Sequence, residues 1–482
     1  MPASNLKTPG AVFGPAKSAF PGSPPSTTFN KQCPKAAGLS CARNISARKH
    51  IMSITIASVD ANFEREPLRR PFGFKGGYMS EIWQSVALLK STTGQHAIGL
   101  NTQSVLWSDA DIFVSHSEAA GNSLMFALTE YALRQAKGMT FDTPFDLLDR
   151  LLPLTWEYGK AITGKPDLRM TFALNALVGV DAAAWLLYAR ENDFTTFDDM
   201  IPAEYRPMLG HRHDRVGCIP LMAYAVPMTE ITRHVEEGYF FMKVKIGSDP
   251  DHDGDREKML QWDMARVEAI HRAIGSRETP YTTNGKIPYY FDANGRYDSK
   301  DRLRRLLDHC AKIGMLDQIM IVEEPFPEDY RVDVGDLGVR IAADESAHCD
   351  HDVRERISLG YGAIALKPIA KTLSMTLKIA AVAHQAAIPM FCADLTVGPI
   401  QVDWNKSFAA RIAPLPGMKI GVVETNGHQN YRNWEALQSY HPQAGAPWTT
   451  VQNGCFELSD DFFRRSGGIL HDSEHYAGLV IG

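Results

Sequence analysis

Residues 319–325 read Ile-Met-Ile-Val-Glu-Glu-Pro, and residues 341–346 read Ile-Ala-Ala-Asp-Glu-Ser. Each stretch is a short apolar run that ends in two carboxylates, a pattern typical of a buried strand with polar residues at its end. Similar runs recur from residue 217 onward, mostly separated by helical patterns: 219–225, 240–246, 289–292, 319–323, 339–344, 363–367, 388–392 and 419–424. Eight buried strands alternating with helices predict an α/β fold, a parallel (β/α)8 barrel of the TIM type.

Helices between these strands show their own signals. The apolar pattern predicts helices over residues 258–274 and 302–313. Gly275 and Gly314 follow them directly. A glycine in that place is typical of a left-handed helix cap, so we expect both glycines to have positive φ.

The preceding part of the chain has a different texture. Short alternating stretches at residues 54–59, 83–89 and 97–100 predict an antiparallel sheet. Helical patterns follow at residues 123–136 and 172–190, and the second one has the spacing of an amphipathic helix. An α+β domain is therefore predicted ahead of the barrel. The predicted boundaries are 53–215 for this domain, 216–425 for the barrel and 426–482 for a C-terminal segment.

The first 52 residues differ from everything that follows them. They contain no Asp or Glu and are rich in Pro, Ser, Gly and Ala. Such a segment cannot bury enough apolar surface to offset its ordering entropy, so residues 1–52 are predicted to be a disordered extension ahead of a natural start near Met52. The acid-poor composition also fits an organellar transit peptide, although arginines are sparse and helical periodicity is missing.

Composition and charge narrow the possible function classes. The chain has 482 residues, with 50 basic and 56 acidic side chains and a formal net charge of −6. No basic excess exists to neutralise a phosphate backbone, so nucleic-acid binding is not expected. No run of about 18 apolar residues is evident, so a membrane span is not expected either. The seven cysteines are scattered and form no CxxC pair, which favours free thiols in the cytoplasm.

Lysines end two of the predicted strands. Lys243 and Lys245 lie two residues apart on the second strand and should therefore share a face. Adjacent ammonium groups repel each other, which lowers the pKa of at least one of them and makes a lysine base near neutral pH possible. The alternative is an ordinary solvated pair. Lys367 ends the sixth strand and should reach the same mouth from across the barrel.

Carboxylates end three successive strands. Asp292 ends the third, Glu323 and Glu324 end the fourth, and Asp344 and Glu345 end the fifth. Carboxylates at neighbouring strand ends converge and would repel one another unless a hard divalent cation lay between them, so oxygen ligands of this kind favour Mg²⁺. Periodicity alone does not select between the two acidic residues of the fourth strand or of the fifth.

The motifs Lys-x-Lys, Asp-x-Asn, Glu-Glu-Pro, Ala-Asp-Glu-Ser and a strand-6 lysine, in that order, resemble the enolase superfamily. The chain is most similar to the muconate-lactonizing (cycloisomerase) subgroup of its mandelate racemase–muconate lactonizing enzyme family. The similarity extends from about residue 54 to residue 424 and is strongest from residue 243 to residue 371. It implies that Asp292, Glu323 and Asp344 bind Mg²⁺, or Mn²⁺ in its place. It also implies that the first domain caps the barrel mouth and that the chain's end returns to that cap.

The resemblance further implies a reaction and roles for the lysines. The reaction would be removal of the proton next to a carboxylate, through an enediolate that the metal stabilises. Lys243 would neutralise a carboxylate oxygen, Lys245 would take the proton on one face and Lys367 would act on the other. Return of the proton gives a racemase or epimerase, and expulsion of an internal oxygen gives a cycloisomerase. Expulsion of a hydroxyl group gives a syn-dehydratase of a sugar acid, which is the alternative.

Departures from the family pattern narrow the substrate. Residues 391–395 (Phe-Cys-Ala-Asp-Leu) hold no histidine, so the lysine-pair type of site is favoured over the mandelate-racemase dyad. Thr372 and Leu373 stand where relatives often have Gly-Gly, and no Asp-x-Asp ends the eighth strand. Residues 424–431 are instead dense in hydrogen-bonding groups, which favours a polar carboxylic acid. The residues expected to contact the substrate are Asn294, Glu345, Asp394 and Glu424.

Two more remote functions compete with this interpretation. A class I aldolase could form a Schiff base at Lys367, but it would not need three carboxylates. A non-catalytic binding protein could use the same scaffold, although it would not need a complete set of catalytic groups. The expected partner is a small-molecule carboxylate, and a homo-oligomer is expected.

Overall fold

The computed structural model describes residues 51–74 and 77–481. The disordered extension predicted for residues 1–52 therefore lies, up to residue 50, outside the described residues. The remainder is an N-terminal α+β domain followed by a barrel, which confirms the predicted fold class. The exact domain boundaries remain predictions.

The N-terminal domain is built on an antiparallel sheet. Its strands are β1 (Ile54–Phe74), β2 (Gly77–Ser91), β3 (His96–Gln103) and β4 (Thr140–Phe141). Its helices are α1 (Val105–Ser108), α2 (Ala110–Ser115), α3 (Glu118–Ala136), α4 (Pro144–Thr163), α5 (Met170–Glu191) and α6 (Phe197–Met200). The strand order is β3-β2-β1-β4. Strands β1 and β2 form a hairpin that is much longer than the alternating stretches predicted from the sequence.

Helix α5 lies at the centre of this domain. Every residue from Thr171 to Ala189 is buried, because the helix packs against β2 and β3, against α3 and α4, and against the barrel. The predicted amphipathic character of this helix is therefore wrong. By length and composition α5 is also apolar enough to cross a membrane, contrary to the sequence expectation, with a mean hydropathy of 1.6 over 18 residues. However, 94% of that window is buried inside the protein.

The barrel strands overlap the predicted apolar runs, although the first strand begins earlier than predicted, at Arg215. They are β5 (Arg215–Ile219), β6 (Leu221–Met222), β7 (Met242–Lys245), β8 (Tyr289–Asp292), β9 (Ile319–Glu323), β10 (Ile341–Ala343), β11 (Ala363–Leu366), β12 (Met390–Cys392) and β13 (Gly421–Glu424). They are paired in the order β5-β13-β12-β11-β10-β9-β8-β7-β6. Since only Pro220 separates β5 from β6, these two segments act as one interrupted strand, and the sheet closes into an eight-stranded barrel.

Helices surround the barrel and continue to the end of the chain. The barrel helices are α7 (Met228–Glu236), α8 (Arg256–Ile274), α9 (Lys300–Lys312), α10 (Asp350–Ser358), α11 (Pro368–Lys371), α12 (Leu373–Gln385) and α13 (Pro399–Ala409). The C-terminal segment contains α14 (Gly427–Asn430), α15 (Trp434–Ser439), β14 (Cys455–Glu457), α16 (Asp460–Arg465) and α17 (Glu474–Ala477). Short 3-10 helices cover Arg206–Leu209, Leu316–Gln318, Pro447–Thr449 and Ser466–Gly468.

The two predicted glycine caps have different outcomes. Gly314 has a φ of +76°, as expected for a left-handed cap. Gly275 has a φ of −63° and is right-handed, so that prediction is wrong. A Cβ at residue 275 would lie 2.4 Å from the His271 ring and 2.6 Å from the His271 carbonyl oxygen. Space, and not backbone conformation, is therefore what requires glycine at this position.

The barrel interior is a packed core, so the polar chemistry lies at its mouth. Phe241, Tyr290, Ile321 and Phe391 belong to a buried cluster inside the ring of strands. The charged residues that end the strands consequently gather at the C-terminal face, where barrels of this type carry their sites. The C-terminal segment contacts β1, for example through Asn62 Nδ2, which donates to the Leu479 carbonyl oxygen at 3.0 Å.

Candidate active site

A cavity at the C-terminal mouth of the barrel brings most of the predicted residues together. Its volume is about 400 Å³, counting the open mouth. The predicted residues that line it are Lys243, Lys245, Asp292, Asn294, Lys367, Asp394 and Glu424. The other three, Glu323, Asp344 and Glu345, are buried directly behind this lining and contact residues that form it.

The lysine pair on β7 is surrounded by carboxylates. Lys243 Nζ lies 2.9 Å from Asp292 Oδ2, 2.7 Å from Glu323 Oε2 and 3.0 Å from Glu424 Oε2. Lys245 Nζ lies 2.6 Å from the same Asp292 oxygen. Both lysines are almost fully buried and point to one side of the strand, as their spacing requires. They are not an ordinary solvated pair.

The expected lowering of a lysine pKa is not found at Lys243. Burial alone would lower its pKa, but Asp292 and Glu323 outweigh burial and raise it well above the usual value. Burial also acts to lower the pKa of Lys367, which the Asp344 carboxylate raises overall. Repulsion between ammonium groups is therefore the smaller effect here, because each lysine has carboxylates in contact with it.

The two acidic residues at the end of β9 have different roles. Glu323 Oε2 points into the barrel, where it contacts Lys243 and accepts a hydrogen bond from the Tyr290 hydroxyl. Glu324 has a φ of +38° and turns away from the cavity. Its Oε2 accepts the backbone N–H of Asp344 at 2.8 Å, and burial raises the pKa of Glu324 to about 7. The structure thus places Glu323 at the cavity and leaves Glu324 to brace the end of β10.

The same distinction holds at the end of β10. Asp344 Oδ2 contacts Lys367 Nζ, and Oδ1 lies 3.2 Å from the Nζ atom of Lys371. Lys371 also donates to the Asp344 carbonyl oxygen at 2.6 Å. Burial acts to raise the pKa of Asp344, but these two lysines hold it below the ordinary value. The Asp344 carboxylate is therefore paired with two lysines: Lys367, directly before α11, and Lys371, the last residue of α11.

Asn294 and Glu345 form a second layer beside Lys245. Asn294 Oδ1 contacts Lys245 Nζ, and Asn294 Nδ2 donates to Glu345 Oε1 at 2.9 Å. Asn294 lines the cavity, whereas Glu345 lies behind it and is 1% exposed. This arrangement is suited to orienting the Lys245 amine, with Glu345 holding the amide in place.

Asp394 and Glu424 lie side by side on the opposite wall. The Asp394 backbone N–H donates to Glu424 Oε2 at 3.0 Å, and the Asn426 N–H donates to Asp394 Oδ2 at 2.8 Å. Burial, reinforced by the Glu424 charge, raises the pKa of Asp394 to about 7. Because Glu424 is paired with Lys243, Asp394 is the more available acidic group on this wall.

The region of the chain that contains this cavity is similar in sequence to a known protein family. The sequence model of the family described as enolase C-terminal domain-like matches residues 228–460, which contain strands β7 to β13 and every predicted site residue. This matched region, nearly half of the chain, belongs to the enolase superfamily. Membership of this superfamily indicates an enzyme. No protein of curated function matches the chain.

Solved structures of enolase-superfamily proteins share the fold over most of the chain. A mandelate racemase/muconate lactonizing protein from Herpetosiphon aurantiacus is 18% identical, with a TM-score of 0.58, covering 84% of this chain and 96% of that one. A dipeptide epimerase from Enterococcus faecalis V583, complexed with Mg and the dipeptide L-Leu-L-Tyr, is 17% identical, with a TM-score of 0.58 and coverages of 84% and 97%. The L-Ala-D/L-Glu epimerase from Bacillus subtilis, in a substrate-liganded complex, is 15% identical, with a TM-score of 0.56 and coverages of 84% and 96%.

The donor chemistry of this enolase-superfamily site fits a hard divalent cation. Within residues 51–74 and 77–481, Glu323 Oε1 is buried without a hydrogen-bond partner. Burial, and after it the charge of Asp292, raises the pKa of Glu323 well above its usual value. The positive charge around this carboxylate is therefore too small to balance it. Lysine ammonium groups lie among these carboxylates. Within the described residues, no three His, Cys, Asp or Glu side chains are close enough together to form a complete metal site. The ligand set Asp292, Glu323 and Asp344 therefore remains a prediction that the oxygen donors support.

Three residues of the superfamily site were not predicted from the sequence. Lys371 lies one helical turn after Lys367, a spacing that could have revealed it. Tyr290 lies two residues before Asp292 on β8, so period 2 places both side chains on the same side of the strand, inside the barrel. Trp107 belongs to α1 of the N-terminal domain, and its Nε1 donates to Asp344 at 3.3 Å across 237 residues of sequence. Local pattern holds no signal for a contact of that range.

Proposed function

We propose that this enzyme is a Mg²⁺-dependent isomerase, a racemase/epimerase or cycloisomerase, that removes the proton next to the carboxylate of a polar acid through an enediolate. The observation that carries the proposal is the placement of Lys245 and Lys367 on one cavity. Their strands, β7 and β11, are separated by three strands in either direction around the barrel. A base on each face of the substrate is what inversion of a carbon needs, so this placement favours isomerisation over dehydration.

The roles of the residues follow from their positions. Asp292, Glu323 and Asp344 would hold the metal. When bound, Mg²⁺ supplies fixed positive charge to the substrate carboxylate and takes up carboxylate charge that otherwise raises the lysine pKa values. Lys243 would donate to the substrate carboxylate from between its own carboxylate partners.

Proton transfer would occur at the two remaining lysines. Lys245 Nζ, oriented by the amide oxygen of Asn294, would take or return the proton on one face. Lys367 Nζ would do the same on the other face. Phe72 and Met79 from the β1–β2 hairpin line the outer part of the cavity and would exclude water while the proton is absent from carbon.

The cavity wall indicates the class of substrate. Asp394, Thr396, Glu424 and Asn426 supply polar groups to the cavity from the segments that end or follow β12 and β13. Such a wall suits a carboxylic acid that carries further hydrogen-bonding groups. Dipeptides belong to that class, and two of the similar structures described above are epimerases with dipeptide ligands or substrates in their names. Cytoplasmic location and a homo-oligomeric state are part of the same proposal.

The proposal is tested by proton exchange. The full chain would be incubated with Mg²⁺ in D₂O with carboxylic acids, sugar acids and dipeptides, and NMR would follow exchange of the α-proton. We expect Mg²⁺-dependent exchange in one class of acid, with the epimer or the cyclised isomer as product. Loss of water from the substrate would identify a dehydratase instead. Borohydride trapping of a carbonyl compound on Lys367, without metal, would identify an aldolase.

A further inference from the structure

Asp344 connects the barrel to the N-terminal domain. Two of its partners, Lys367 and Lys371, belong to the barrel. Another partner is Trp107 of α1, whose Nε1 donates to Asp344 Oδ2 at 3.3 Å. A side chain of the N-terminal domain therefore hydrogen-bonds a carboxylate that is a predicted metal ligand.

The Trp107 ring also contacts a proposed base. Lys367 Nζ lies 4.8 Å from the ring centroid, and Lys371 Nζ lies 5.9 Å from it. An ammonium group over an indole face at this distance is attracted by the ring quadrupole. One side chain thus acts on Asp344 through its N–H and on Lys367 through its ring.

The position of Trp107 is itself fixed. The side chain is 2% exposed. The backbone carbonyl oxygen of Trp107 accepts a hydrogen bond from Arg169 Nη1 at 3.0 Å. Arg169 is in turn paired with Glu328, in the segment that follows β9. These contacts hold α1 against the barrel, so the indole meets Asp344 in one orientation.

We propose that Trp107 is a positioning residue for the metal site and for the base on β11. Its N–H orients the Asp344 carboxylate, and its ring holds Lys367 Nζ at one face of the cavity. This inference rests on the proposed function. Its consequence is that the N-terminal domain helps to form the metal site in addition to covering the cavity.

Two substitutions separate the two contacts. Trp107→Phe keeps an aromatic ring and removes the N–H donor, whereas Trp107→Leu removes both. Calorimetric titration of the full chain with Mg²⁺ should show about 10- to 100-fold weaker binding in both variants, the usual cost of losing a partner that orients a ligand. Trp185→Phe is the matched control, because Trp185 is another buried tryptophan of this domain and donates to Ser374 Oγ at 2.9 Å. Its Mg²⁺ affinity should equal that of the wild type.

A second measurement tests the ring contact. With Mg²⁺ at saturation, exchange from the epimer whose proton faces Lys367 should fall in Trp107→Leu and stay near the wild-type rate in Trp107→Phe. Exchange from the opposite epimer, at Lys245, should be retained in both variants. A general loss of structure would slow both directions together.

The outcomes distinguish this inference from the proposed function. Mg²⁺ affinity that is unchanged in Trp107→Phe would overturn the positioning role while the wild-type site still binds metal. A wild-type chain that binds no Mg²⁺ would overturn the proposed function and this inference with it. If near-UV circular dichroism shows that Trp107→Phe does not fold, Arg169→Met provides a second route, because it frees the Trp107 carbonyl and leaves the indole intact. That variant should also bind Mg²⁺ more weakly, and equal affinity would again overturn the proposal.

Discussion

The two sides of the barrel mouth are built differently. On the side of β7 and β8, the lysine pair contacts carboxylates that end other barrel strands, and its charges are balanced within the barrel. On the side of β10 and β11, Asp344 and Lys367 also contact Trp107 from the N-terminal domain. The first side depends on strand ends alone, whereas the second depends on how the two domains pack. Substitutions in the N-terminal domain should therefore affect the two sides unequally.

The interface behind β11 extends this difference. Asp181 of the buried helix α5 accepts the Ser374 backbone N–H at 3.1 Å at the start of α12. Thr372 directly precedes α12 and has a φ of +70° and a ψ of 155°, a conformation rare for any residue but glycine. Strain and a buried carboxylate thus coincide on the side that the N-terminal domain supports.

The largest effect is expected when a carboxylate of the predicted metal site, which lies between the two sides, is replaced by an amide. Asp292→Asn, Glu323→Gln and Asp344→Asn should each lower proton exchange by on the order of 10³-fold or more, because the metal supplies several kcal/mol of charge stabilisation. EDTA should abolish exchange, and Mg²⁺ should restore it. Exchange rates by NMR, with circular dichroism to verify folding, make the measurement.

Glu324→Gln is the matched control for the ligand substitutions. Glu324 is adjacent to Glu323 but faces the end of β10 and not the cavity. It should retain metal-dependent exchange at most of the wild-type rate. Full exchange in a metal-free preparation, or equal losses at residues 323 and 324, would contradict the ligand assignment.

The next largest effect is expected on the exchange rates of the two epimers when Lys245 or Lys367 is replaced. Lys245→Ala should stop exchange from one epimer and leave exchange from the other measurable, and Lys367→Ala should do the reverse. Loss of one general base lowers a rate by about 10²–10⁴-fold, well above the noise of an NMR assay. Turnover of both epimers at the wild-type rate in both variants would show that these lysines are not the bases, even if the metal site stands.

The two sides also differ in how far sequence reasoning could describe them. Lys243, Lys245 and Asp292 follow from period 2 on strands of clear apolar pattern, and their surroundings contain only other strand ends. The separation of Glu323 from Glu324 depends on a φ of +38° at residue 324, which a single sequence does not encode. Trp107 could not be predicted, since its contact with the barrel depends on how the domains pack.

The prediction that helix α5 is amphipathic failed for a related physical reason. Its apolar spacing suggested one covered face, but the sheet, helices α3 and α4 and the barrel together cover the whole helix. A helix between two layers is apolar all round, so a periodic pattern within it says little about which face is buried. Tertiary packing, and not local propensity, decides this element.

A smaller effect concerns the pH dependence of the interface behind β11. Burial raises the pKa of Asp181 from 3.8 to about 6. A carboxyl group whose pKa is raised on folding stabilises the protein fully below its unfolded pKa, and this contribution is lost as the pH rises through the folded pKa. Relative to Asp181→Asn, the wild-type free energy of unfolding should therefore fall by about 2.5 kcal/mol between pH 4 and pH 7, a little under two units at about 1.4 kcal/mol each.

Urea unfolding of both proteins across this pH range measures the difference. Asp308→Asn, at an exposed position of α9, controls for the substitution itself. A wild-type curve that runs parallel to that of Asp181→Asn would show that the carboxylate at the α5–α12 contact is not destabilised by burial.

The smallest effect tests the strain at Thr372 through its sign. Thr372→Gly and Thr372→Ala both lose the side-chain oxygen that accepts the Met375 backbone N–H at 3.1 Å, so the difference between them isolates the effect of a Cβ. At an ordinary position alanine is the more stable of the two by about 0.4–1 kcal/mol, because glycine gives the unfolded chain more freedom. At a φ of +70° the order should reverse, since the Cβ of alanine keeps a strain of about 1–3 kcal/mol that glycine lacks. We therefore expect Thr372→Gly to exceed Thr372→Ala by about 1 kcal/mol in the free energy of unfolding from urea titration. If alanine were the more stable of the two, the turn after β11 would not be strained, and the contrast between the two sides of the mouth would rest on Trp107 and Asp181 alone.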